Sequence, residues 1–205
     1  MNCICESFKT FVYFYNGLVN NFLKKYTQVY QPINFRIFKS KLQYLMTPSS
    51  KSYQLEKSLW TDHDFENMGW HDCKLFAISF GDNFQLLFDI DYIFKWVQTG
   101  KTFKFWVSPC TLIFENVYDL EFQMDGISGG IDIDEISRDN PQKPKNADFI
   151  KVNIEFDWTI DTQQGSIFFK SIGYKQYVRQ TPKFIHGQYF EISERGGISF
   201  DTIIS

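Results

Sequence analysis

The chain has 205 residues with a formal net charge of −3, and 43% of its residues are hydrophobic, 19% of the total being aromatic. With only 12 Gly and 6 Pro, this composition excludes a wholly disordered chain, a collagen and a low-complexity polymer. The length is sufficient for one domain of ordinary size, or one domain with an appendage, and the aromatic content is ample for its core.

The charge is unevenly distributed. Residues 1–57 carry eight basic and two acidic residues, whereas residues 58–205 carry 13 basic and 22 acidic residues. The split predicts a basic N-terminal helix and extension over 1–57 and an acidic domain over 58–205. An acidic domain favours a basic protein partner and disfavours duplex nucleic acid, whose phosphates require clustered Lys and Arg.

The four cysteines, Cys3, Cys5, Cys73 and Cys110, match no zinc-site spacing. No Asn-x-Ser/Thr acceptor occurs, and the longest uncharged apolar-rich stretch, residues 10–23, is too short for a transmembrane segment and lacks a signal-cleavage site. We therefore expect a cytoplasmic protein with free thiols.

Apolar residues at three- and four-residue steps predict an N-terminal amphipathic helix between Ser7 and Tyr26, with Ser7 as its N-cap. Residues 27–59 carry most of the basic excess and weaken the periodicity, so they are interpreted as an extension. Between Thr61 and Gly69 the sequence predicts a short helix, with Thr61 as N-cap and Asp64 three residues on.

From Trp60 onward the apolar period changes to two, which is typical of strands, and the strands begin after the short helix. The predicted strands are residues 74–80, 84–96, 119–125, 131–137, 150–161, 166–172, 174–179 and 189–193. The first two flank a hairpin turn at 81–83, and the second is long enough to need a bulge midway. Residues 137–148, with two prolines, are interpreted as a loop. The pattern predicts a mainly β domain, an antiparallel sandwich or a rolled barrel-like sheet.

Two segments resemble catalytic or metal motifs. Gly126–Gly130 matches G-x-S-x-G with Ser128 as the formal nucleophile, but the residues after it alternate like a strand, whereas a nucleophile elbow precedes a helix. The acidic and histidine residues between Asp62 and Cys73 match neither a calcium loop nor the zinc-helix spacing. The sequence therefore assigns no catalytic residue, no metal and no cofactor.

Trp70-His71-Asp72 is the most distinctive local feature, either a packed strand entrance or an aromatic hot spot for a ligand or partner. Asp89 and Asp91 share one face of a predicted strand. The candidate binding residues chosen by charge and aromatic character are Asp62, Asp64, Trp70, His71, Asp72, Asp89 and Asp91.

Residues 68–74 (MGWHDCK), 87–93 (LFDIDYI) and 106–109 (WVSP) resemble small bacterial all-β proteins that begin near a Trp-x-Asp element. Those are similar to immunity proteins encoded beside polymorphic toxins. The resemblance covers residues 60–180 and implies a toxin inhibitor. Residues 1–57 fall outside it, which leaves Met46 as an alternative start.

Three functions remain open from the sequence. The first is a non-catalytic protein-binding module, of the immunity type, whose acidic face blocks a basic partner such as a toxin. The second is a barrel-like protein that binds a small apolar ligand in a hollow interior. The third is a metal-dependent or serine hydrolase.

Overall fold

A computed structural model describes residues 52–126 and 130–203. The predicted N-terminal helix, most of the basic extension, Cys3, Cys5 and Ser128 lie outside the described residues. Ten antiparallel strands form one sheet that is not closed. The strands are β1 (Leu59–Thr61), β2 (Cys73–Gly81), β3 (Gln85–Thr99), β4 (Thr102–Glu115), β5 (Tyr118–Met124), β6 (Ile131–Gln142), β7 (Glu155–Thr162), β8 (Gly165–Ser171), β9 (Gly173–Val178) and β10 (Lys183–Ile185).

The strand order is β1-β9-β4-β3-β2-β6-β7-β8-β5, and β10 pairs with β4. This confirms the prediction of a mainly β, antiparallel fold. In the described residues two short helices accompany the sheet, a 3-10 helix at Asp62–Asn67 and the α-helix α1 at Ala147–Ile150. Thr61 is the N-cap of the first, and its backbone N–H donates to Asp64 Oδ2 at 2.8 Å. The sequence therefore located the start of this helix correctly.

The sheet rolls so that strands distant in the order meet across its inner face. Trp158 of β7 lies four strands from Phe114 of β4, which would be about 19 Å away in a flat sheet. Their ring centroids are instead 5.0 Å apart, and Phe114 lies 4.7 Å from Phe169 of β8. This contact of aromatic rings across the roll forms the centre of the core.

The β2–β3 hairpin and the midway bulge of β3 are confirmed, since the β3–β4 register shifts between Ile93 and Lys95. Three predictions about elements were wrong, and one long strand was missed. The predicted loop over 137–148 is strand as far as Gln142, and the strand predicted from residue 150 begins at Glu155. Residues 189–193 form no strand, and β4 was not predicted.

Candidate protein-binding surface

Trp70 belongs to the core, because only 3% of it is exposed. Its Nε1 donates to Gln176 Oε1 at 2.8 Å, and its ring meets that of Tyr174 edge-on at 5.4 Å. A buried indole with its N–H satisfied is fully used by the fold. The expectation that Trp70 offers its ring to a partner is therefore corrected: it anchors the turn that precedes β2.

His71 and Asp72 are placed at the surface by that turn. His71 is exposed, and its Nδ1 lies 3.1 Å from the Asp134 carbonyl oxygen. The backbone N–H of Asp72 donates to the Ile133 carbonyl at 2.8 Å. Both contacts hold the turn against β6. Asp72 has a φ of 61°, a left-handed conformation that is uncommon outside glycine and that the fixed turn maintains.

A small polar cleft of about 330 Å³ opens beside Asp72, between the start of β2, β6 and the C-terminal segment. Lys74 Nζ lies 3.0 Å from Asp132 Oδ1, and Gln188 Nε2 donates to Asp72 Oδ2 at 2.6 Å. The carboxylates of this cleft are thus engaged by neighbouring side chains. The cleft therefore lies where the Trp70-His71-Asp72 segment contacts β6.

Asp89 and Asp91 are completely buried, so the expectation that they contact a partner directly is corrected. Both lie on one face of β3, as predicted, but the C-terminal segment 186–203 covers that face. Arg195 Nη1 donates to Asp89 Oδ2 at 2.7 Å, and Arg195 Nε donates to Asp91 Oδ1 at 3.1 Å. Arg179 also pairs with Asp89. Two carboxylates and two guanidinium groups therefore neutralise one another inside the protein.

The same carboxylates hold the backbone of the C-terminal segment. Phe190 N donates to Asp91 Oδ2 at 2.8 Å and Ser199 N to Asp89 Oδ2 at 3.0 Å. Burial raises the pKa of Asp91, although the bonds from Phe190 and Arg195 oppose this shift. Burial lowers the pKa of Arg195, but its bonds and proximity to the two carboxylates outweigh this and raise it overall. Sequence reasoning missed both arginines.

Asp62 and Asp64 lie at the start of the 3-10 helix, where negative charge is favourable. Asp62 pairs with Arg138 of β6, and Asp64 pairs with Lys57. The hydrogen bonds that Lys57 and the Thr61 backbone donate hold the pKa of Asp64 below its ordinary value of 3.8. Local structure therefore uses both carboxylates, which remain only partly exposed.

The capping role of Asp64 predicts a pH-dependent effect. Asp64→Ala should cost about 1 kcal/mol of unfolding free energy at pH 7. Because the pKa is lowered by folding, the contribution is present above 3.8 and is lost as the pH falls through the folded-state pKa. Urea unfolding at pH 7 and pH 2.5 measures this, and an equal cost at both values would contradict the capping role.

The outer face of β6 and β7 carries a concentration of acidic residues that sequence reasoning did not single out; those of β6 are exposed and those of β7 are partly exposed. Glu135 is directly opposite Asp161, and Asp139 is directly opposite Asp157. Glu121 of β5 lies two strands further on, opposite Phe168 of β8, which pairs with Thr159 of β7. We call these five residues, Glu121, Glu135, Asp139, Asp157 and Asp161, the acidic face.

Two members of the acidic face are compensated. Lys170 of β8 pairs with Asp157 and, chiefly through its hydrogen bond, lowers the pKa of that carboxyl. Ser166 Oγ donates to Asp161 Oδ1 at 2.6 Å. Within the described part of the chain, the side chains of Glu135 and Asp139 make no hydrogen bond or ion pair. Like charges directly opposite each other destabilise a sheet. Lys170 offsets this at Asp157, whereas no ion pair within the described residues offsets it at Glu135 and Asp161.

The remaining chemistry is limited in the described residues. Cys73 and Cys110 are free and buried, and burial raises the pKa of Cys73 to about 12 and that of Cys110 well above its ordinary value. Among residues 52–126 and 130–203, no three His, Cys, Asp or Glu side chains are grouped to hold a metal ion. The two described helices include none with the length and apolar character needed to cross a bilayer.

Comparison of the chain with protein-family models, with curated proteins and with solved structures finds no match.

Proposed function

We propose that the chain is a non-catalytic protein-binding domain whose acidic face binds a basic protein, in the manner of an immunity-type inhibitor of a toxin. Two pairs of opposed carboxylates on the outer face of adjacent strands, Glu135 with Asp161 and Asp139 with Asp157, carry the proposal. A basic partner would supply cations to Glu135 and Asp139, whose side chains make no hydrogen bond or ion pair within the described residues, whereas Lys170 already pairs with Asp157. Binding would then replace repulsion between the carboxylates with attraction to the partner's cations.

The position of the acidic face also suits protein recognition. The register of β6 and β7 is continuous from Glu135 to Asp139, so these carboxylates have fixed spacing, and a rigid arrangement lowers the entropic cost of binding. At the β2 side the acidic face adjoins the polar cleft at Asp132, where His71 and Asp72 are held against β6. His71 and Asp72 therefore remain candidate contacts at the edge of the acidic face. Asp62 and Asp64 lie at the start of the 3-10 helix, where Arg138 and Lys57 pair with them.

Neutralising the unpaired members of the acidic face tests the proposal through stability. Glu135→Gln with Asp139→Asn removes both like-charge pairs and keeps side-chain size. We expect the free energy of unfolding to rise by about 0.5–1 kcal/mol, measured by urea titration at low ionic strength. The matched control Asp82→Asn with Asp125→Asn makes the same change in net charge at exposed positions outside the acidic face and should have a smaller effect. A loss of stability in the first variant alone would contradict the like-charge account.

Native mass spectrometry of the full chain, purified untagged from its own host, tests the existence of the partner. The proposal requires a stoichiometric complex with a basic protein that is toxic when expressed alone and harmless when this chain is co-expressed. A complex with an acidic protein, or a partner whose toxicity is unaffected, would overturn it.

A further inference from the structure

A second cleft, of about 680 Å³, lies at one end of the rolled sheet. Strands β2, β4, β6 and β8 all finish at this end, and the connections that follow them meet there. The residues that matter for its chemistry are Asn83, Phe84, Gln85, Asn116, Asn146 and Phe149. The volume falls in the range of small-molecule sites, which often occupy the open ends of rolled sheets.

Phe84, beside the end cleft, has an unfavourable backbone conformation. Asn83, Phe84 and Asn116 have φ values of 57°, 60° and 55°. Asparagine tolerates this region, but a bulky side chain such as Phe rarely adopts it. The Phe84 carbonyl accepts a 2.7 Å bond from Val117 N, which fixes the turn, while 72% of the residue is exposed. Neither packing nor backbone preference explains a phenylalanine here, and strain of this kind concentrates at ligand sites.

Side-chain amides supply the polar lining. Asn116 Nδ2 donates to Asn146 Oδ1 at 3.2 Å, and Asn146 Nδ2 donates to Asn116 Oδ1 at 2.7 Å. This reciprocal pair uses one N–H and one lone pair of each amide and leaves the others available. Within the described chain, the side chains of Asn83 and Gln85 form no hydrogen bond. The end cleft therefore offers several neutral donors and acceptors close together.

The one carboxylate in the lining is neutralised, because Lys175 Nζ lies 2.8 Å from Glu115 Oε1. A charged ligand would find no opposite charge to compensate its desolvation. A purely apolar ligand would cover the amides without satisfying them. The lining thus fits a neutral ligand that is rich in hydroxyl groups and has one apolar face.

Exposed aromatic rings stand at both sides of the end cleft. Phe84 is 72% exposed and Phe149, in α1, is 89% exposed. A groove of about 540 Å³ continues past Phe84 and is lined by Phe80, Val117 and Leu120. We propose that the end cleft binds a neutral saccharide, with the C–H face of one pyranose ring against Phe84, its hydroxyls on the amides, and a second ring in the adjoining groove.

An array of neutral and sialylated oligosaccharides, probed with the full chain, tests the proposal, and calorimetric titration with the best neutral glycan measures affinity. Phe84→Gly removes the ring at a backbone position that favours glycine, so the fold should be retained and the melting temperature unchanged or raised. We expect glycan affinity to fall at least tenfold. Phe103→Ala, at an exposed phenylalanine of the β3–β4 hairpin at the other end of the sheet, is the matched control and should bind as wild type.

Three results would overturn the saccharide proposal: no neutral glycan bound above background, binding confined to sialylated glycans, or equal affinity in Phe84→Gly and wild type. The acidic-face variant Glu135→Gln with Asp139→Asn should keep glycan binding. Its result therefore distinguishes failure at the end cleft from failure at the protein-binding surface.

Discussion

Replacing Arg195 with methionine is expected to lower the free energy of unfolding by about 3–5 kcal/mol, because the change leaves buried carboxylates without their main cation. Arg195 is 2% exposed and bonds both Asp89 and Asp91, which are 0% exposed. Since domains of this size are stable by only about 5–15 kcal/mol, the variant should be close to unfolding at 37 °C. Urea unfolding monitored by tryptophan fluorescence measures the effect.

Two further variants make the Arg195 result specific. Lys143→Met breaks an exposed pair in which Lys143 and Asp148 are 3.5 Å apart and their side chains 64% and 91% exposed, so it should cost less than about 0.5 kcal/mol. Arg195→Lys keeps the charge but loses the forked geometry, and it should fall between the two. Hydrogen exchange at the Phe190 and Ser199 amides should rise most in Arg195→Met. Unchanged stability in Arg195→Met would contradict the conclusion that this buried network holds residues 186–203 against β3.

Trp158→Ala is expected to be comparably destabilising, by about 3–5 kcal/mol. Trp158 is 1% exposed and lies at the centre of the ring contacts that cross the roll, 5.0 Å from Phe114 and 5.5 Å from Phe65. Its Nε1 donates to the Ser171 carbonyl at 3.1 Å, so the substitution also leaves a buried acceptor unsatisfied. The melting temperature should fall by roughly 10 °C.

Trp96→Ala is the control for this prediction. Trp96 is 41% exposed on the β3–β4 hairpin, so its removal should cost about 1 kcal/mol. Equal effects at the two tryptophans would contradict a core centred on the contact between β7 and β4.

Strands with one wet face could be predicted from the sequence, because alternation of polar and apolar residues reports exposure of one side. β7 shows this clearly, with Trp158 and Ile160 buried between partly exposed residues. β4 was not predicted because every residue from Val107 to Phe114 is buried. With both faces buried, polar and apolar residues do not alternate along the strand. The loop predicted over 137–148 failed because a register shift between Asp139 and Gln142 interrupts the pairing of β6 with β7, and Pro141 lies in this irregular end of the strand.

The candidate site was predictable only in part. The sequence correctly placed Asp89 and Asp91 on one strand face, but their cation Arg195 lies 106 and 104 positions further along the chain, which no local pattern reveals. The acidic face depends on register, since the opposition of Glu135 and Asp161 exists only once β6 and β7 pair. Charge asymmetry pointed to an acidic domain, whereas the location of the unpaired charges required the sheet.

The most direct test of the proposed function is the rate of association with a basic protein recovered in the native complex, measured from low to high ionic strength. Binding through the acidic face predicts that Glu135→Gln with Asp139→Asn associates about tenfold more slowly than wild type at low salt, with the difference vanishing at high salt. Asp82→Asn with Asp125→Asn should follow the wild-type curve. Identical rates and salt dependence in the acidic-face variant and wild type would contradict the account.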